Sequence, residues 1–309
     1  MPHLLSACEL PVAELLPRIR YWDNRLWASP ASALPSASST PLRRVLALLF
    51  YEPSTRTRAA FEQAAYAMGL HPLVMMAQSA SVQKGETLAD TVRTLCAQGV
   101  AGIVIRHPEA GAAHAAARVS TVPVLNAGDG AHEHPTQALL DLYTLWVHFG
   151  CPDPASRWLT GRKVAIVGDI AHSRVARSNL ILLQQVGAEV WLCAPPTLMP
   201  PVPLLGAHMT SHLPHALQDA DVVMALRLQR ERMEQGLLPH LSAYRRDYQI
   251  NARMLRLAKP DCVVMHPGPL NRGVEISDEV ADGVQSLIYQ QVRFGLATRC
   301  ACLEYAGLG

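Results

Sequence analysis

Lysine is scarce in this chain, and charge of neither sign is in excess. Of the 309 residues, 27 are lysine or arginine and 25 are aspartate or glutamate, which leaves a net charge of +2. Lysine stands only at Lys84, Lys163 and Lys259. So small a net charge gives no reason to expect nucleic acid or a membrane surface as a partner. The rarity of lysine makes each of the three a candidate for a specific role.

The sequence also lacks paired cysteines and long apolar runs. Its seven cysteines are scattered without a Cys-x-x-Cys pair, which predicts reduced thiols, a cytoplasmic protein and no zinc cluster. No apolar run is long enough to span a bilayer. The segment that begins Met1-Pro-His has no basic stretch ahead of an apolar core, so we expect no signal peptide.

Apolar, strand-like segments alternate with helix-like segments along the chain. The candidate strands are residues 44–51, 72–77, 100–106 and 122–126 in the first half, and 163–168, 188–194, 221–226 and 261–266 in the second. Nearly continuous apolar strands that alternate with helices favour parallel sheets covered on both faces. We therefore predict an α/β fold with two doubly wound parallel-sheet domains.

A long helical segment separates the two sets of strands. We predict a first domain over residues 1–134, a linking helix over 135–149 and a second domain over 150–285. Gly150 and the prolines after it mark the end of the linking helix. The last segment, 286–309, is predicted to form a helix that packs back on the first domain.

The first group of candidate site residues follows the first strand. Ser54, Thr55, Arg56 and Thr57 stand at the predicted start of a helix, after an apolar run. Free backbone N–H groups and the positive end of the helix dipole point outward at such a position. Together with hydroxyl groups and a guanidinium, they make a site for a tetrahedral oxyanion. The alternative is a helix cap beside solvated arginines.

Further polar residues follow the later strands of the first half. Arg106 ends the third strand, and His134 and Gln137 open the linking helix. Because ligands of open α/β sheets bind beyond the carboxyl ends of the strands, we expect these residues to converge on one crevice with Ser54–Thr57. The His132-x-His134 pair lacks a third ligand at metal-site spacing, so we expect no metal.

A loop that leads into a helix carries the first lysine. Gly85 follows Lys84 directly, and an amphipathic segment comes after it. The reach and charge of Lys84 make it a ligand for phosphate or carboxylate. The alternative is an ordinary solvated lysine.

The fifth strand and the helix after it have the strand–turn–helix shape of a dinucleotide site. The turn lacks Gly-x-Gly-x-x-Gly, and Ala171, His172 and Arg174 occupy it. Side chains there would obstruct a pyrophosphate, so we expect no nicotinamide cofactor. Arg174 at a helix start suits a carboxylate instead. Arg227 and Gln229 follow the seventh strand and share one side of the extended chain.

A proline-rich turn follows the last candidate strand, in the sequence His266-Pro-Gly-Pro269. The Gly268–Pro269 step is a candidate for a cis peptide in a tight turn. The backbone carbonyls of the turn are candidates to accept hydrogen bonds from substrate amines. For His266 itself we expect a structural role.

Five spaced motifs between Phe50 and Pro269 together resemble the family of aspartate and ornithine carbamoyltransferases. They are Ser54-Thr-Arg-Thr-Arg58, the Lys84 loop, His134-Pro-Thr-Gln137, Arg227-Leu-Gln229 and His266-Pro-Gly-Pro269. Glu52, Thr136 and Gln229, with the absence of a His-Cys motif, are typical of the aspartate branch rather than the ornithine branch. The resemblance implies that the carbamoyl group of carbamoyl phosphate is transferred to L-aspartate without a cofactor.

The resemblance also implies a role for each matching residue. The first domain would bind carbamoyl phosphate through Ser54, Thr55, Arg56, Thr57, Ser81, Lys84, Arg106, His134 and Gln137, joined by Gly268 and Pro269. The residues acting on the reacting group would be Arg56, Thr57, Arg106, His134 and Gln137. The second domain would bind aspartate, through Arg174, Arg227 and Gln229, with Lys84. Ser79 and Ser81 both remain open as the serine of the Lys84 loop.

In the family, the Lys84 loop enters the active site of a neighbouring subunit, so the resemblance implies a homotrimer with shared sites. It leaves open whether regulatory chains or a dihydroorotase-like partner attach. Glu52 is expected to pair with Arg174 or Arg232 of the second domain. The alternatives are an ornithine-type enzyme and a non-catalytic assembly subunit. The latter is disfavoured because the phosphate and carbonyl ligands are all present.

Overall fold

The computed structural model describes residues 2–27, 44–76, 85–228 and 241–309. The chain forms two compact units, one made of Met1–Tyr143 with Phe294–Gly309 and the other of Thr144–Arg293. Each unit holds one parallel sheet with helices, which confirms the predicted α/β class.

The first unit contains a four-stranded parallel sheet in the order β2-β1-β3-β4. The strands are β1 (Val45–Phe50), β2 (His71–Met76), β3 (Gly102–His107) and β4 (Val124–Asp129). Its helices are α1 (Val12–Trp27), α2 (Thr55–Ala67), α3 (Leu88–Ala97) and α4 (Ala112–Val119), with the first part of α5 (Pro135–His148). The central strand β1 is apolar throughout and buried after its first residue, as expected for a strand covered on both faces.

The second unit contains a five-stranded parallel sheet in the order β7-β6-β5-β8-β9. The strands are β5 (Lys163–Val167), β6 (Glu189–Cys193), β7 (Ala207–Thr210), β8 (Val222–Ala225) and β9 (Val263–Met265). Its helices include α6 (Arg174–Gln185), α7 (Leu213–Leu217), α8 (Leu241–Tyr248), α9 (Ala252–Leu255) and α10 (Asp278–Ala281).

The C-terminal helix α11 (Ile288–Tyr305) ends in the first unit. The indole Nε1 of Trp22 donates to Glu304 Oε2 at 2.8 Å, and the ring of Phe294 meets that of Tyr143 edge-on. The predicted return of the C-terminal helix to the first domain is therefore confirmed. Within the described ranges, none of the helices combines the length and apolar character that a membrane span requires.

Strand β7 and helix α1 are among the elements that were not predicted from the sequence. Strand β7 is a short edge strand that is only partly buried, so it has no apolar run to reveal it. Helix α1 contains Pro17, a residue that normally argues against a helix interior. Its apolar side chains Leu15, Leu16 and Ile19 are nevertheless fully buried, so packing outweighs the proline.

Candidate active site

The parallel register brings the predicted anion-binding residues to one edge of the first sheet. Phe50 at the end of β1 pairs with Arg106 of β3, and the N–H of Tyr51 donates to the Arg106 carbonyl at 2.8 Å. Strand β4 lies on the other side of β3. The segments after β1 and β4 therefore begin on either side of Arg106.

Helix α2 begins where the oxyanion site was expected. Ser54 precedes the helix in an extended conformation, and its side chain makes no capping hydrogen bond. The hydroxyl is therefore not used as a helix cap, which weighs against the capping interpretation of this motif. Thr55 and Arg56 are exposed and Thr57 is buried. The backbone N–H groups of this first turn have no acceptor within the helix, as at any helix start.

Arg106 is held beside this helix start by two contacts within the first unit. Its Nη1 donates to the carbonyl of Ala127 at 3.3 Å, and its Nε lies 3.5 Å from Glu52 Oε2. Both side chains of this ion pair are largely buried. The pair orients the guanidinium at the sheet edge. The pairing of Glu52 with Arg174 or Arg232 stays a prediction, and Arg232 lies outside the described residues.

His134 and Gln137 lie at the start of α5, after the loop that follows β4. Both are buried, and the N–H of Gln137 donates to the His134 carbonyl at 3.0 Å. The loop is built on the buried carboxylate of Asp129. Its Oδ1 accepts from the Asn126 side chain and from the N–H of Glu133, and its Oδ2 accepts from the N–H of Gly111. The loop before His134 is therefore fixed by hydrogen bonds rather than by packing alone.

The surroundings of His107 disfavour a positive charge on its ring. Its Nδ1 accepts a hydrogen bond from the N–H of Glu109 at 3.0 Å. Burial lowers the pKa of His107, although the carboxylates of Glu109, Glu52 and Asp129 act in the opposite direction. The positive charge at this edge is thus carried by arginine.

The second unit places its own candidate residues at the carboxyl edge of its sheet. Arg174 is the first residue of α6, after β5, and only 4% of it is exposed. The Ser173 hydroxyl caps this helix by accepting from the N–H of Ala176 at 3.1 Å. Arg227 follows the neighbouring strand β8 and is half-buried. Two arginines therefore approach the same edge, as a carboxylate ligand would require.

The turn after β9 is organised by a buried histidine. His266 Nδ1 accepts from the N–H of Gly268 at 2.7 Å, and its Nε2 lies 3.2 Å from the Glu275 carboxylate. The Gly268–Pro269 peptide is cis, as predicted. The N–H of His266 donates to Gln291 Oε1 at 2.9 Å. These contacts fit the structural role expected for His266.

Three of the predicted ligands, Ser81, Lys84 and Gln229, lie outside the described residues and stay predictions. Among the described residues, no group of three or more His, Cys, Asp or Glu side chains is placed to hold a metal ion. His132 instead contacts Asp129 at 3.0 Å. The convergence of the two groups of residues on one ligand also stays a prediction.

Sequence reasoning did not single out two buried carboxylates next to the candidate residues. Asp141 accepts a hydrogen bond from the Gln137 side chain, and Glu275 contacts His266. The contact of Asp141 could have been found from the sequence, because residues four apart, such as Gln137 and Asp141, share a helix face. The contact of Glu275 had no such sequence signal, since this residue follows an irregular turn with no periodic pattern.

Comparison with known proteins agrees with the resemblance of the motifs. The model of the "Aspartate/ornithine carbamoyltransferase, carbamoyl-P binding domain" matches residues 26–147. The model of the "Aspartate/ornithine carbamoyltransferase, Asp/Orn binding domain" matches residues 160–306. Two α/β units with cationic sheet edges are thus accounted for by one class of transferase. The chain belongs to the aspartate/ornithine carbamoyltransferase family.

Individual relatives are similar over most of the chain. It is 47% identical to the aspartate carbamoyltransferase catalytic subunit of Desulforudis audaxviator, over 99% of this chain and 98% of that protein. The subunit of the same name from Pelotomaculum thermopropionicum is 53% identical, over 84% of this chain and 82% of that protein.

Solved structures of both branches of the family share the fold. Aspartate transcarbamoylase from Trypanosoma cruzi, in complex with N-(phosphonacetyl)-L-aspartic acid, is 32% identical with a TM-score of 0.84, over 97% of this chain and 94% of that chain. Ornithine carbamoyltransferase from Pyrococcus furiosus is 30% identical with a TM-score of 0.81, over 97% and 95%. The fold alone therefore does not separate the two branches.

Proposed function

We propose that this chain transfers the carbamoyl group of carbamoyl phosphate to the α-amine of L-aspartate. The products are N-carbamoyl-L-aspartate and phosphate, a step of pyrimidine biosynthesis. The observation that carries the proposal is the near-complete match to relatives named aspartate carbamoyltransferase catalytic subunit, at 47–53% identity. The first of these matches spans 99% of this chain and 98% of that protein.

The phosphate group is assigned to the start of α2. The backbone N–H groups of the first helical turn, the helix dipole and the hydroxyl of Ser54 suit a dianion there. Arg56 supplies a guanidinium at the same position. The remaining ligands in this proposal are Thr55, Thr57, Ser81 and Lys84, with the last two contributed by a neighbouring subunit.

The carbonyl group of carbamoyl phosphate is assigned to three donors at the same sheet edge. Thr57, Arg106 and His134 donate hydrogen bonds to the oxygen as it gains charge, which lowers the barrier to attack. Gln137 orients the NH2 group, with the turn at Gly268 and Pro269.

L-Aspartate is assigned to the second unit, through Arg174, Arg227 and Gln229, with Lys84. Arg174 stands nearly buried at the start of α6, where a guanidinium suits a substrate carboxylate. The amine nitrogen then attacks the carbonyl carbon, the bond from that carbon to the phosphate oxygen breaks, and the amine proton leaves with the phosphate. Positioning and charge neutralisation account for the catalysis, so no covalent intermediate is needed.

The domain roles follow from this assignment. Residues 1–134 bind carbamoyl phosphate and residues 150–285 bind aspartate. The helix 135–149 links them, and 286–309 packs on the first domain. The scattered cysteines support a cytoplasmic enzyme. The assembly is a homotrimer with shared sites; regulatory or dihydroorotase-like chains are further candidates as partners.

A ureido-product assay tests the reaction and the acceptor together. The purified chain is given carbamoyl phosphate with either L-aspartate or L-ornithine. Product from aspartate alone is the expected result. Product from ornithine alone would refute the roles given to Glu52, Thr136 and Gln229. No product with either amine, in a chain that binds carbamoyl phosphate, would favour the non-catalytic subunit.

Subunit mixing tests the shared site. Arg106→Ala and Lys84→Ala chains are each inactive in this proposal, but a mixed trimer contains one site with neither substitution. Activity should therefore return when the two chains exchange subunits. No recovery would contradict a site completed by a neighbouring chain.

A further inference from the structure

The side chain of Gln137 is fixed by a buried hydrogen bond within α5. Its Nε2 donates to Asp141 Oδ1 at 2.8 Å, and the two residues are four apart on one helix face. Asp141 is completely buried, and Gln137 is nearly so. Thermal rotation of the Gln137 amide would therefore break a buried bond to a carboxylate, which is costly.

The guanidinium of a second buried residue, Arg299 of α11, interacts electrostatically with Asp141. Arg299 is 2% exposed, its Nη1 donates to the Gly295 carbonyl at 3.4 Å, and its Cζ lies 5.9 Å from the centre of the Phe61 ring. Burial lowers the pKa of the Arg299 guanidinium, while Cys302 and Asp141 act in the opposite direction. Opposite charges buried together each favour the ionised form of the other.

An ionised carboxylate accepts hydrogen bonds and cannot donate them. The Gln137 amide must therefore turn its NH2 group to Asp141 and its carbonyl oxygen away. That carbonyl oxygen is an acceptor for a substrate NH2 group. The reverse orientation would present NH2 to NH2, which makes no hydrogen bond.

We propose that Asp141 is a positioning residue that makes the site selective for a carbamoyl group over an acyl group without NH2. The inference rests on the proposed function, and it adds a cause for the orientation of Gln137. The distinction at stake is between carbamoyl phosphate and acetyl phosphate, which carries a methyl group in place of NH2.

Asp141→Asn tests the orientation directly. The asparagine side chain can face Gln137 with its oxygen or with its NH2 group. It therefore no longer holds the Gln137 amide in a single orientation. We expect kcat/KM for carbamoyl phosphate to fall about tenfold or more, as for loss of one buried hydrogen bond. The inhibition constants of acetyl phosphate and inorganic phosphate should stay within about twofold, because neither ligand uses the Gln137 carbonyl.

Gln137→Met supplies the readout that separates positioning from a general structural effect. If Asp141 acts through the Gln137 amide, Asp141→Asn should not reduce the preference for carbamoyl phosphate any further in the Gln137→Met background. Thr298→Val is the matched control. It removes a buried 2.9 Å hydrogen bond to the Phe294 carbonyl, one residue before Arg299. Thr298→Val should leave the preference for carbamoyl phosphate over acetyl phosphate unchanged.

Neutron diffraction from deuterium-exchanged crystals of the unmodified protein gives a second test that needs no variant to fold, because it locates amide deuterons directly. Deuterons on the Gln137 atom that faces Asp141 support the inference, and an amide oxygen there overturns it. The inference is also overturned if Asp141→Asn weakens carbamoyl phosphate, acetyl phosphate and inorganic phosphate equally, or leaves the preference for carbamoyl phosphate over acetyl phosphate unchanged. It is overturned as well if Asp141→Asn reduces that preference just as much in the Gln137→Met background. The wild-type chain is assayed before any variant. If it forms no carbamoyl aspartate, the proposed function is refuted, which is a different outcome from those that overturn the role of Asp141.

Discussion

Arg106→Ala separates stabilisation of the transition state from simple binding of carbamoyl phosphate. The structure gives Arg106 two fixed contacts, with the Ala127 carbonyl and with Glu52. A guanidinium held in this way is already oriented before the substrate carbonyl gains charge. Preorganised donors of this kind contribute about 10²–10³ in kcat, or ~2.7–4 kcal/mol.

The same substitution has a smaller effect on folding. The side chains of Arg106 and Glu52 are 14% and 18% exposed, so their pair is more sheltered than a surface ion pair. Surface pairs contribute up to ~1 kcal/mol, and a hydrogen bond to a charged group ~1.5–3 kcal/mol. We therefore expect a loss of ~1–2 kcal/mol, which is well below the 5–15 kcal/mol typical of a domain. The variant should stay folded at the assay temperature.

The assay is steady-state kinetics with L-aspartate saturating and carbamoyl phosphate varied, with urea unfolding in parallel. The expected outcome is a fall in kcat of about 10²–10³. Arg93→Ala is the control, because that arginine is 62% exposed on α3 and pairs only locally with Asp90. If kcat stays within tenfold of the wild type while KM rises, Arg106 binds ground state and transition state equally, and the reasoning fails.

Three further predictions concern buried groups. Burial lowers the pKa of His107, so the unfolded state takes up a proton below about pH 6.5 that the folded state resists. The free energy of unfolding should fall as the pH drops through that range. In urea titrations at pH 5.5 and 7.5, His107→Gln should show a smaller fall than the wild type, and an equal fall in the two proteins would contradict the prediction. Arg299→Met should cost ~1.5–3 kcal/mol in urea unfolding, because it removes a charged donor to the Gly295 carbonyl and a buried positive charge that interacts with Asp141; Thr298→Val should cost only ~1 kcal/mol, and equal losses would refute the charge argument. In the folded protein at pH 8, Ellman's reagent should label exposed Cys8 far faster than the four thiols whose pKa burial raises to about 12, namely Cys193, Cys262, Cys300 and Cys302.

The sheets could be predicted because their central strands are buried on both faces. Val45–Phe50 is wholly apolar, and a run of that kind has few other places to go in a folded chain. Strand β7 and helix α1 were not predicted, because neither has so clear a sequence signal. The edge position of β7 requires no apolar run, and Pro17 is tolerated in α1 because buried leucines hold the helix in place.

The residues of the candidate site likewise fall into those that could be predicted from the sequence and those that could not. Residues at the end of a strand or just after it, such as Arg106 and Arg174, could be predicted, because parallel strands place their carboxyl ends at a common edge. Residues that hold those side chains in place obey no such rule. The spacing of Gln137 and Asp141 was visible in the sequence as one helical turn, but it says nothing of charge. The guanidinium that acts electrostatically on Asp141 belongs to Arg299, on a helix near the end of the chain, and only tertiary packing places it there.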